Sequence, residues 1–176
     1  MTRRAPLRAF VAFGANLDPR RHIARGLEEL ARATRLLRVS RVFRTPPLAR
    51  PEQPDFRNGA VLLETDLPPR KLKFQVLRRI ERELGRVRGA DPHQARTLDL
   101  DLVLYADLVL REEGLVLPDP EIRERLFLAI PLLDLDPDLV LPGSEAPLSA
   151  QVPPGREGEL PLDEPFTRFL QERWNR

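Results

Sequence analysis

The amino-terminal part of the chain passes from an apolar run to a helical repeat. Residues 8–14 are almost continuously apolar and end at Gly14, a pattern that predicts a strand in the interior of a sheet. Asp18 and Pro19 are residue types preferred at a helix N-cap and at the first helical position. We therefore expect an amphipathic helix after them, with apolar positions at helical spacing: Ile23, Leu27, Leu30 and Ala31.

Two more strands and a second helix are predicted next. Residues 36–44 alternate between the two faces of a strand and stop before Pro46. A proline-rich loop then leads to a third strand, residues 56–64, which has an apolar centre. The following helical repeat is expected to close near Gly85, a residue type common just after helices. Its apolar positions are Leu72, Val76, Ile80 and Leu84.

The clearest predicted strand is residues 97–105, in which every second residue from 98 to 104 is a leucine. The order strand, helix, strand, strand, helix, strand is typical of ferredoxin-like β-α-β-β-α-β sheets. The sequence therefore predicts an α+β fold in which an antiparallel sheet carries its helices on one face. All four leucines are expected to face the same side of the sheet: Leu98, Leu100, Leu102 and Leu104.

The remainder of the chain is predicted to add to this core. Residues 108–117 are hairpin-like, residues 120–133 are helical, and a proline-rich tail ends in the segment 166–174. We find no internal repeat and no linker, so we expect a single domain over residues 1–176. Residues 143–176 form its C-terminal extension.

Composition narrows the class of protein. The 176 residues are 41% hydrophobic and 32% charged, as in ordinary globular domains. The absence of cysteine excludes disulfide scaffolds, thiolate zinc sites and thiol nucleophiles. The apolar runs are too short to span a membrane and the start lacks a secretory pattern, so we expect a cytoplasmic protein. A formal net charge of only +2 gives little support to nucleic-acid binding.

Two aspartates on the last predicted strand of the core are the first candidates for chemistry. Asp99 and Asp101 lie two residues apart, so both side chains leave the same face, with Cα atoms about 6.5 Å apart. Aspartate is disfavoured in strands, which leaves two interpretations: a solvated strand face or a hard-cation site. Two carboxylates leave coordination positions free for water and phosphates, as magnesium prefers.

Arginines precede this carboxylate pair. Arg86, Arg88 and Arg96 fall on a predicted loop that leads to the same end of the sheet. Guanidinium groups bind phosphate oxygens in a bidentate way, so together with the carboxylates they suit a polyphosphate. The alternative is that these arginines merely pair with nearby acids such as Glu81 and Asp91. There is neither a Walker A motif nor a G-x-G-x-x-G motif, so a nucleotide would be held without a glycine cradle.

The loop before the third predicted strand forms a second candidate site. Pro46 and Pro47 fix a rigid wall with exposed backbone groups. Asn58 offers a donor and an acceptor to the edge of a flat heterocycle, and Phe56 has a ring that can stack on it. The alternative is an ordinary turn followed by an edge strand. For Phe127 the corresponding alternative is a place in the core.

Short motifs at these positions resemble those of one enzyme family. Residues 14–17 match G-[SA]-N-L, residues 43–48 match [FY]-x-T-P-P-[LV], and residues 53–58 match Q-P-x-[FY]-x-N. The most specific match is R-T-L-D-L-D at residues 96–101. Together they resemble the 6-hydroxymethyl-7,8-dihydropterin pyrophosphokinase family of folate biosynthesis, over about residues 10–142.

The resemblance implies an enzyme that transfers the terminal diphosphate of ATP to the hydroxymethyl oxygen of the pterin and releases AMP. It implies that Asp99 and Asp101 hold two Mg²⁺ ions, which neutralise and align the ATP phosphates. It also implies catalytic roles for Arg86 and Arg96, which would bind phosphates and stabilise charge on the bridging oxygen. Residues expected to bind ATP are Glu81, Arg88, Leu102 and Arg125.

For the second substrate, the resemblance implies that Phe56 and Phe127 sandwich the pterin ring. Such a site selects one heterocycle, because others leave buried polar groups unpaired. The implied partners are ATP and the pterin, without nucleic acid or membrane, and we expect a monomer. Recognition of the pterin edge is expected from Asn58 and from the backbone of Thr45, Pro46 and Leu48.

The chain departs from the family pattern beside the expected triphosphate path. His93 replaces an aromatic residue, and Asp119 and Glu121 stand where histidine and arginine are typical. Like charges there should weaken ATP binding unless a metal ion or Arg123 compensates. We expect a functional enzyme with altered nucleotide affinity. Two alternatives stay open: a member that binds pterin without catalysis, and a basic ferredoxin-like RNA-binding module, which a 6% aromatic content disfavours.

Overall fold

The computed structural model of the protein describes residues 6–47, 50–89, 91, 93–152 and 156–175. The strands of its main sheet are β1 (Leu7–Ala15), β2 (Arg35–Val39), β3 (Phe43–Thr45), β4 (Phe56–Thr65) and β5 (Asp99–Tyr105). This sheet is antiparallel, with spatial order β2-β4-β1-β5, and β3 pairs with β4 beyond the end of β2. The order confirms the predicted ferredoxin-like arrangement.

Both predicted core helices pack on one face of the sheet. Helix α1 (Pro19–Ala33) follows Asp18, whose left-handed backbone, with φ 43° and ψ 57°, leaves its carboxylate without a capping hydrogen bond. The second helix, residues 69–83, is a composite of α2 (Pro69–Lys71), a π-helical segment (Leu72–Leu77) and α3 (Arg78–Glu83). The extra residue in the π turn rotates the positions that follow, which brings Ile80 and Glu81 to the buried side.

The C-terminal part of the chain covers the opposite face. A 3₁₀ turn (Pro120–Arg123), helix α4 (Leu126–Leu135) and helix α5 (Leu148–Gln151) pack there, around a second apolar cluster. Helix α6 (Glu164–Trp174) returns to the first face and buries Phe166 and Leu170 in the main cluster. The predicted hairpin is β6 (Leu110–Glu112) with β7 (Leu115–Leu117). None of the helices in the described ranges has both the length and the apolar character needed to span a bilayer.

The predicted strand over residues 36–44 is wrong in its continuity, since it forms two strands, β2 and β3. Between them, the Ser40 hydroxyl accepts a hydrogen bond from the Ala60 amide at 2.8 Å. The Ser40 amide in turn donates to the Ala60 carbonyl at 2.9 Å. A side chain thus takes over one bond of the regular ladder, and the strand is interrupted at this point.

The expectation that all four leucines of the last core strand face the same side is also wrong. Leu98, Leu100 and Leu102 pack against the helices α1 and α3, but Leu104 faces the second cluster. The register against β1 jumps between Phe10 and Val11, which leaves Val103 as an extra residue on β5. This β-bulge reverses the alternation after Leu102, whereas the two aspartates lie before it and keep a common face.

Candidate active site

A cleft of about 620 Å³ opens on the sheet face opposite α1. It lies at the end of β1 near Gly14 and is closed on one side by the segment that follows β7. Residues from three parts of the chain that sequence analysis singled out line this one cavity. These are Thr45, Pro46, Phe56, Asn58, Arg96, Asp99, Asp101, Arg125 and Phe127.

Asp99 is held between two guanidinium groups. Arg86 approaches one carboxylate oxygen at 2.5 Å, and Arg96 forms an ion pair with the other. Arg86 also donates to the Leu98 carbonyl at 3.1 Å, and its side chain is only 10% exposed. The Nε atom of Arg86 has no partner among the described residues. Both predicted catalytic arginines therefore lie at the carboxylate pair, with Asp99 as their partner.

Asp101 has a different environment from Asp99. No hydrogen bond or ion pair from the described residues reaches its carboxylate, and its pKa is raised to about 7. Burial is the main cause, and the negative charge of Asp99 adds to it, while Lys73 acts in the opposite direction. A half-buried carboxylate without a partner favours a proton or a cation. The described residues form no cluster of three or more metal-ligating side chains. Carboxylate oxygens are ligands that suit hard cations such as Mg²⁺, so the chemistry of this pair makes it the candidate cation site.

Glu81 lies behind the pair and is only 1% exposed. One of its oxygens accepts a hydrogen bond from the Leu100 amide at 2.8 Å, and the other from Arg88 at 2.5 Å. Burial raises its pKa, although these hydrogen bonds and the nearby Arg86 act in the opposite direction. Since Glu81 does not line the cleft, the structure gives it a supporting position behind the arginines.

Like Glu81, two other predicted ATP-binding residues, Leu102 and Arg88, do not line the cleft. The side chain of Leu102 is buried in the core on the helical face, so only its backbone is available. Arg88 lies with Glu81 and Arg86 in a separate hollow of about 280 Å³. Leu48 lies outside the described residues.

The amide–aromatic end of the cleft is built on β3 and β4. Their register pairs Thr45 with Phe56, and Asn58 donates a hydrogen bond from Nδ2 to the Thr45 hydroxyl at 2.6 Å. Gly14 pairs with Asn58 across β1 and β4, and a Cβ atom at this glycine would lie 2.7 Å from the Asn58 side-chain oxygen. Gly14 therefore allows the close approach that positions Asn58, while Phe127 lines the cavity from α4.

Asn16 is a structural centre of the site to which sequence analysis gave no role. It is 2% exposed and accepts a hydrogen bond from the Arg96 amide at 2.7 Å. Its side-chain nitrogen donates to the Gln53 side chain at 3.1 Å and to the Pro54 carbonyl at 3.3 Å. One amide thus joins both loops that border the cleft. The sequence feature that could have indicated a role for Asn16 is its place in the first motif, two residues after Gly14.

The same two loops are linked a second time near His93, which lines the cleft. Arg50 forms an ion pair with Asp91 at 2.5 Å, and Gln53 donates to the His93 carbonyl at 3.0 Å. The backbone amide of His93 and then the Arg50 guanidinium lower the pKa of Asp91. The contacts of His93 that hold this loop are made by its backbone.

The two acidic departures both line the cleft. Asp119 accepts a hydrogen bond from the Glu121 amide at 2.9 Å and so caps the 3₁₀ turn. Arg125 lies 3.9 Å from the Glu121 carboxylate. Arg123, which the sequence offered as a compensating charge, instead donates to Gln151 at 3.0 Å. Arg123 therefore has a partner outside the cleft, while Arg125 lines the cleft beside Glu121.

A family model described as 7,8-dihydro-6-hydroxymethylpterin-pyrophosphokinase (HPPK) matches residues 10–137. The chain belongs to this family. The matched range includes all the motifs singled out in the sequence, and it agrees with the resemblance inferred there over residues 10–142. The family prediction made from those motifs is confirmed.

Named relatives support the same assignment. The chain is 41% identical over 138 residues to a Pseudomonas aeruginosa 2-amino-4-hydroxy-6-hydroxymethyldihydropteridine pyrophosphokinase, a match that covers 77% of this chain and 84% of the relative. It is 37% identical over 140 residues to the Haemophilus influenzae protein of the same name, with 78% of this chain and 86% of the relative covered. The family model ends at residue 137, so the last part of this chain lies beyond it.

Among solved structures, the wild-type HPPK-DHPS of Plasmodium falciparum is similar in fold, with a TM-score of 0.60 and 10% sequence identity. The match covers 98% of this chain and 47% of that chain, so this chain spans about half of the longer protein. At this identity the likeness concerns the fold alone, and it agrees with the ferredoxin-like arrangement of the sheet.

Proposed function

We propose that the protein transfers the terminal diphosphate of ATP to the hydroxymethyl oxygen of 6-hydroxymethyl-7,8-dihydropterin and releases AMP. The hydroxyl oxygen forms a bond to the β-phosphorus, the bond from that phosphorus to the oxygen of the α-phosphate breaks, and the hydroxyl proton is released. The observation that carries the proposal is one cavity whose two ends differ. Aromatic and amide side chains line one end, and paired carboxylates with arginines line the other.

At the carboxylate end, Asp99 and Asp101 fit a hard divalent cation. They share one face of β5, and Asp101 lacks a protein donor among the described residues. We propose that this pair holds two Mg²⁺ ions with ATP. When bound, the metal supplies charge neutralisation and alignment of the phosphates. Asp101 must then be deprotonated, since a carboxylate binds a cation in its ionised form.

The positions of Arg86 and Arg96 allow each guanidinium group to bind a phosphate in place of the Asp99 carboxylate. Arg86 and Arg96 are paired with Asp99, and phosphate oxygens are equally suited to their guanidinium groups. We propose that both turn to the transferred phosphates and stabilise the charge that develops on the bridging oxygen. Arg125 would support the nucleotide from the opposite wall. Glu81 would keep Arg86 and Arg88 in position from behind.

At the other end, the Asn58 amide is already oriented by the Thr45 hydroxyl. We propose that Asn58 and the backbone of Thr45, Pro46 and Leu48 recognise the edge of the pterin. Phe56 and Phe127 would stack on its two faces. A pre-positioned amide gives selectivity, because a ring that does not match it leaves a buried polar group unpaired.

A second candidate function is pterin binding without catalysis. It is favoured by Asp119 and Glu121, which bring two carboxylates to the cleft near Asp101. Repulsion between these acids and the phosphates would weaken ATP binding more than pterin binding. The catalytic proposal is better supported, because the R-T-L-D-L-D segment and both arginines at Asp99 are present.

The test is the formation of AMP from ATP and Mg²⁺, with and without 6-hydroxymethyl-7,8-dihydropterin. We expect AMP that depends on the pterin and that is lost in Asp99→Ala and Asp101→Ala. Asp107→Asn, which changes an exposed carboxylate outside the cleft, is the matched control and should retain activity. Pterin binding by calorimetry without any AMP would favour the non-catalytic candidate instead.

The oligomeric state, the location and the partners of the protein are also proposals. We propose that the protein acts as a monomer in the cytoplasm on these two small molecules, without nucleic-acid or membrane partners. A monomer is supported by the fact that residues of one chain line both ends of the cleft. Light scattering, filter binding with single-stranded RNA and cell fractionation test these points separately.

A further inference from the structure

The segment that precedes α6, residues 160–163, runs along the free edge of β3, and we call it the C-terminal strap. The Arg44 amide donates to the Pro161 carbonyl at 2.7 Å, and the Asp163 amide donates to the Val42 carbonyl at 2.8 Å. Phe43 and Leu162 form an antiparallel bridge between these bonds. The strap therefore extends the sheet by one short stretch of chain beyond β3.

This register brings the strap to the cleft. The antiparallel pairing of Phe43 with Leu162 places Thr45 opposite Leu160. Leu160 lines the same cavity as Thr45 and Phe56. It belongs to the part of the chain beyond residue 137, where the family match ends. An apolar side chain from the C-terminal extension thus forms part of the wall beside the Thr45–Asn58 hydrogen bond.

Asp163 attaches the C-terminal strap to neighbouring elements through ion pairs. Its carboxylate is 6% exposed and accepts hydrogen bonds from Arg57 at 2.6 Å and from Arg20 at 3.0 Å. Although burial acts to raise the pKa of Asp163, the bonds from Arg57 and from the Phe166 amide lower it overall. Arg57 lies on β4 between the cleft residues Phe56 and Asn58. The carboxylate therefore ties the strap to the strand that carries the amide–aromatic end of the cleft.

Helix α6 holds the other side of the strap. The Thr167 hydroxyl accepts a hydrogen bond from the Val42 amide at 2.8 Å. At the end of the helix, Asn175 bonds both the amide and the carbonyl of Val39, at 2.7 and 2.9 Å. Since Phe166 and Leu170 are buried in the main core, the strap is attached to a fixed helix.

We propose that Leu160 is a specificity-determining residue for the pterin, and that Asp163 is a positioning residue that holds it there. This inference rests on the proposed function. Leu160 excludes water from the neighbouring Asn58 amide and gives an apolar contact to the ring. Exclusion of water strengthens a polar contact, so the strap increases the preference for a heterocycle that pairs with Asn58.

The first test compares Leu160→Ala and Leu160→Trp with Leu162→Ala, which changes the adjacent strap leucine that does not line the cavity. Pterin affinity is measured by calorimetry, and KM is measured for both substrates. We expect both Leu160 variants to weaken pterin binding about three- to tenfold. The KM for ATP and the behaviour of Leu162→Ala should remain close to wild type.

Equal pterin affinity in Leu160→Ala, Leu160→Trp and wild type would overturn the inference and leave the proposed reaction intact. A wild-type protein that binds pterin but forms no AMP would contradict the proposed reaction, while the calorimetry would still test Leu160. The two failures are therefore distinguishable.

The second test addresses Asp163. Asparagine can still cap α6 but lacks the charge that pairs with Arg57, so Asp163→Asn should raise the pterin KM severalfold with little change in kcat. Asp163→Glu, which retains the charge, should restore part of the affinity. A purely structural role would lower the melting temperature of both variants without this split between KM and kcat. That outcome would remove Asp163 from the proposal, and the Leu160 variants would decide the remainder.

Discussion

Asp99 and Asp101 leave the same face of β5 but differ in their partners. Asp99 is neutralised by Arg86 and Arg96, whereas no described residue donates to Asp101. The two neighbouring carboxylates thus differ in their countercharge, and burial without such a partner raises the pKa of Asp101. The second carboxylate is the group whose charge depends on what enters the cleft.

Without added metal, ionised Asp101 should destabilise the folded protein. The pKa of Asp101 rises from an unperturbed 3.8 to about 7 in the fold, so between these values the folded state binds more protons than the unfolded state. Stability is therefore lost as the pH rises from 4 to 7. We expect Asp101→Asn to increase the free energy of unfolding at pH 8 by on the order of 2 kcal/mol. The melting temperature should rise accordingly.

This difference should shrink as the pH falls toward 4, where the Asp101 carboxyl becomes protonated in wild type too. Calorimetric melting in the presence of a chelator, over this pH range, is the measurement. Asp107→Asn is the control and should change nothing at any pH. An Asp101→Asn variant that is less stable than wild type at pH 8 would refute the assignment.

Gly14 supports a second prediction at the scale of one residue. A Cβ at this position would lie 2.7 Å from the Asn58 side-chain oxygen, so Gly14→Ala must displace the Asn58 amide. We expect the KM for the pterin to rise about tenfold, as when one polar contact is misaligned, while the KM for ATP changes little. Steady-state kinetics with each substrate varied in turn measure this split.

The control for Gly14→Ala is Gly143→Ala. Gly143 has a φ of +78° and no neighbour within 4 Å of a Cβ, so alanine there brings backbone strain away from the cleft. It should lower stability without changing either KM. If Gly14→Ala, like Gly143→Ala, lowered stability without changing the KM for the pterin, the close approach of Gly14 to Asn58 would have no role in binding.

At the scale of elements, alternation along the chain predicted the strands well but not where they change face. Val103 and the leucines on either side of it are all apolar, so the pattern of residues 97–105 contained no sign of the bulge at Val103. Likewise Ser40 fits the alternation of residues 36–44 although its hydroxyl interrupts the ladder. The carboxylate pair was predictable because it precedes the bulge, where period two still applies.

The loops around the cleft could be predicted only as loops. One of the two links between them runs through the Asn16 side chain, which joins residues 53–54 to Arg96. We expect Asn16→Ala to leave the Arg96 amide without its buried acceptor, at a cost of about 1–3 kcal/mol. Amide hydrogen exchange should then accelerate in residues 93–97, and kcat/KM should fall for both substrates.

Asn175→Ala is the matched control for Asn16→Ala. It removes another amide that bonds the backbone twice, at Val39, far from these loops along the chain. It should lower the melting temperature but leave the exchange of residues 93–97 unchanged. Equal exchange rates in Asn16→Ala and wild type would show that the loops do not depend on this amide.

At the scale of the whole molecule, the sequence could predict the sheet and the motifs but not the role of the C-terminal extension. The motifs predicted residues at both ends of the cleft because each motif is a contiguous stretch of chain. The strap reaches the cleft through long-range contacts such as the pairing of Leu162 with Phe43, which join residues far apart in sequence. Neither periodicity nor composition distinguishes that segment from an ordinary tail.

The acids that line the cleft support a last prediction, because their effect depends on the summed charge around the nucleotide. Asp119 and Glu121 face the cleft with Arg125 as the nearby cation, at 3.9 Å from Glu121. Removing both negative charges in Asp119→Asn/Glu121→Gln should lower the KM for ATP roughly three- to tenfold at low salt. The pterin KM should not change, and the gain should diminish at high ionic strength because salt screens exposed charges. Glu124 is an exposed acid on the same segment outside the cleft, so Glu124→Gln should have no such effect. An equal decrease in the KM for ATP from Glu124→Gln would mean that net charge, rather than the position of the two acids, sets the affinity for ATP.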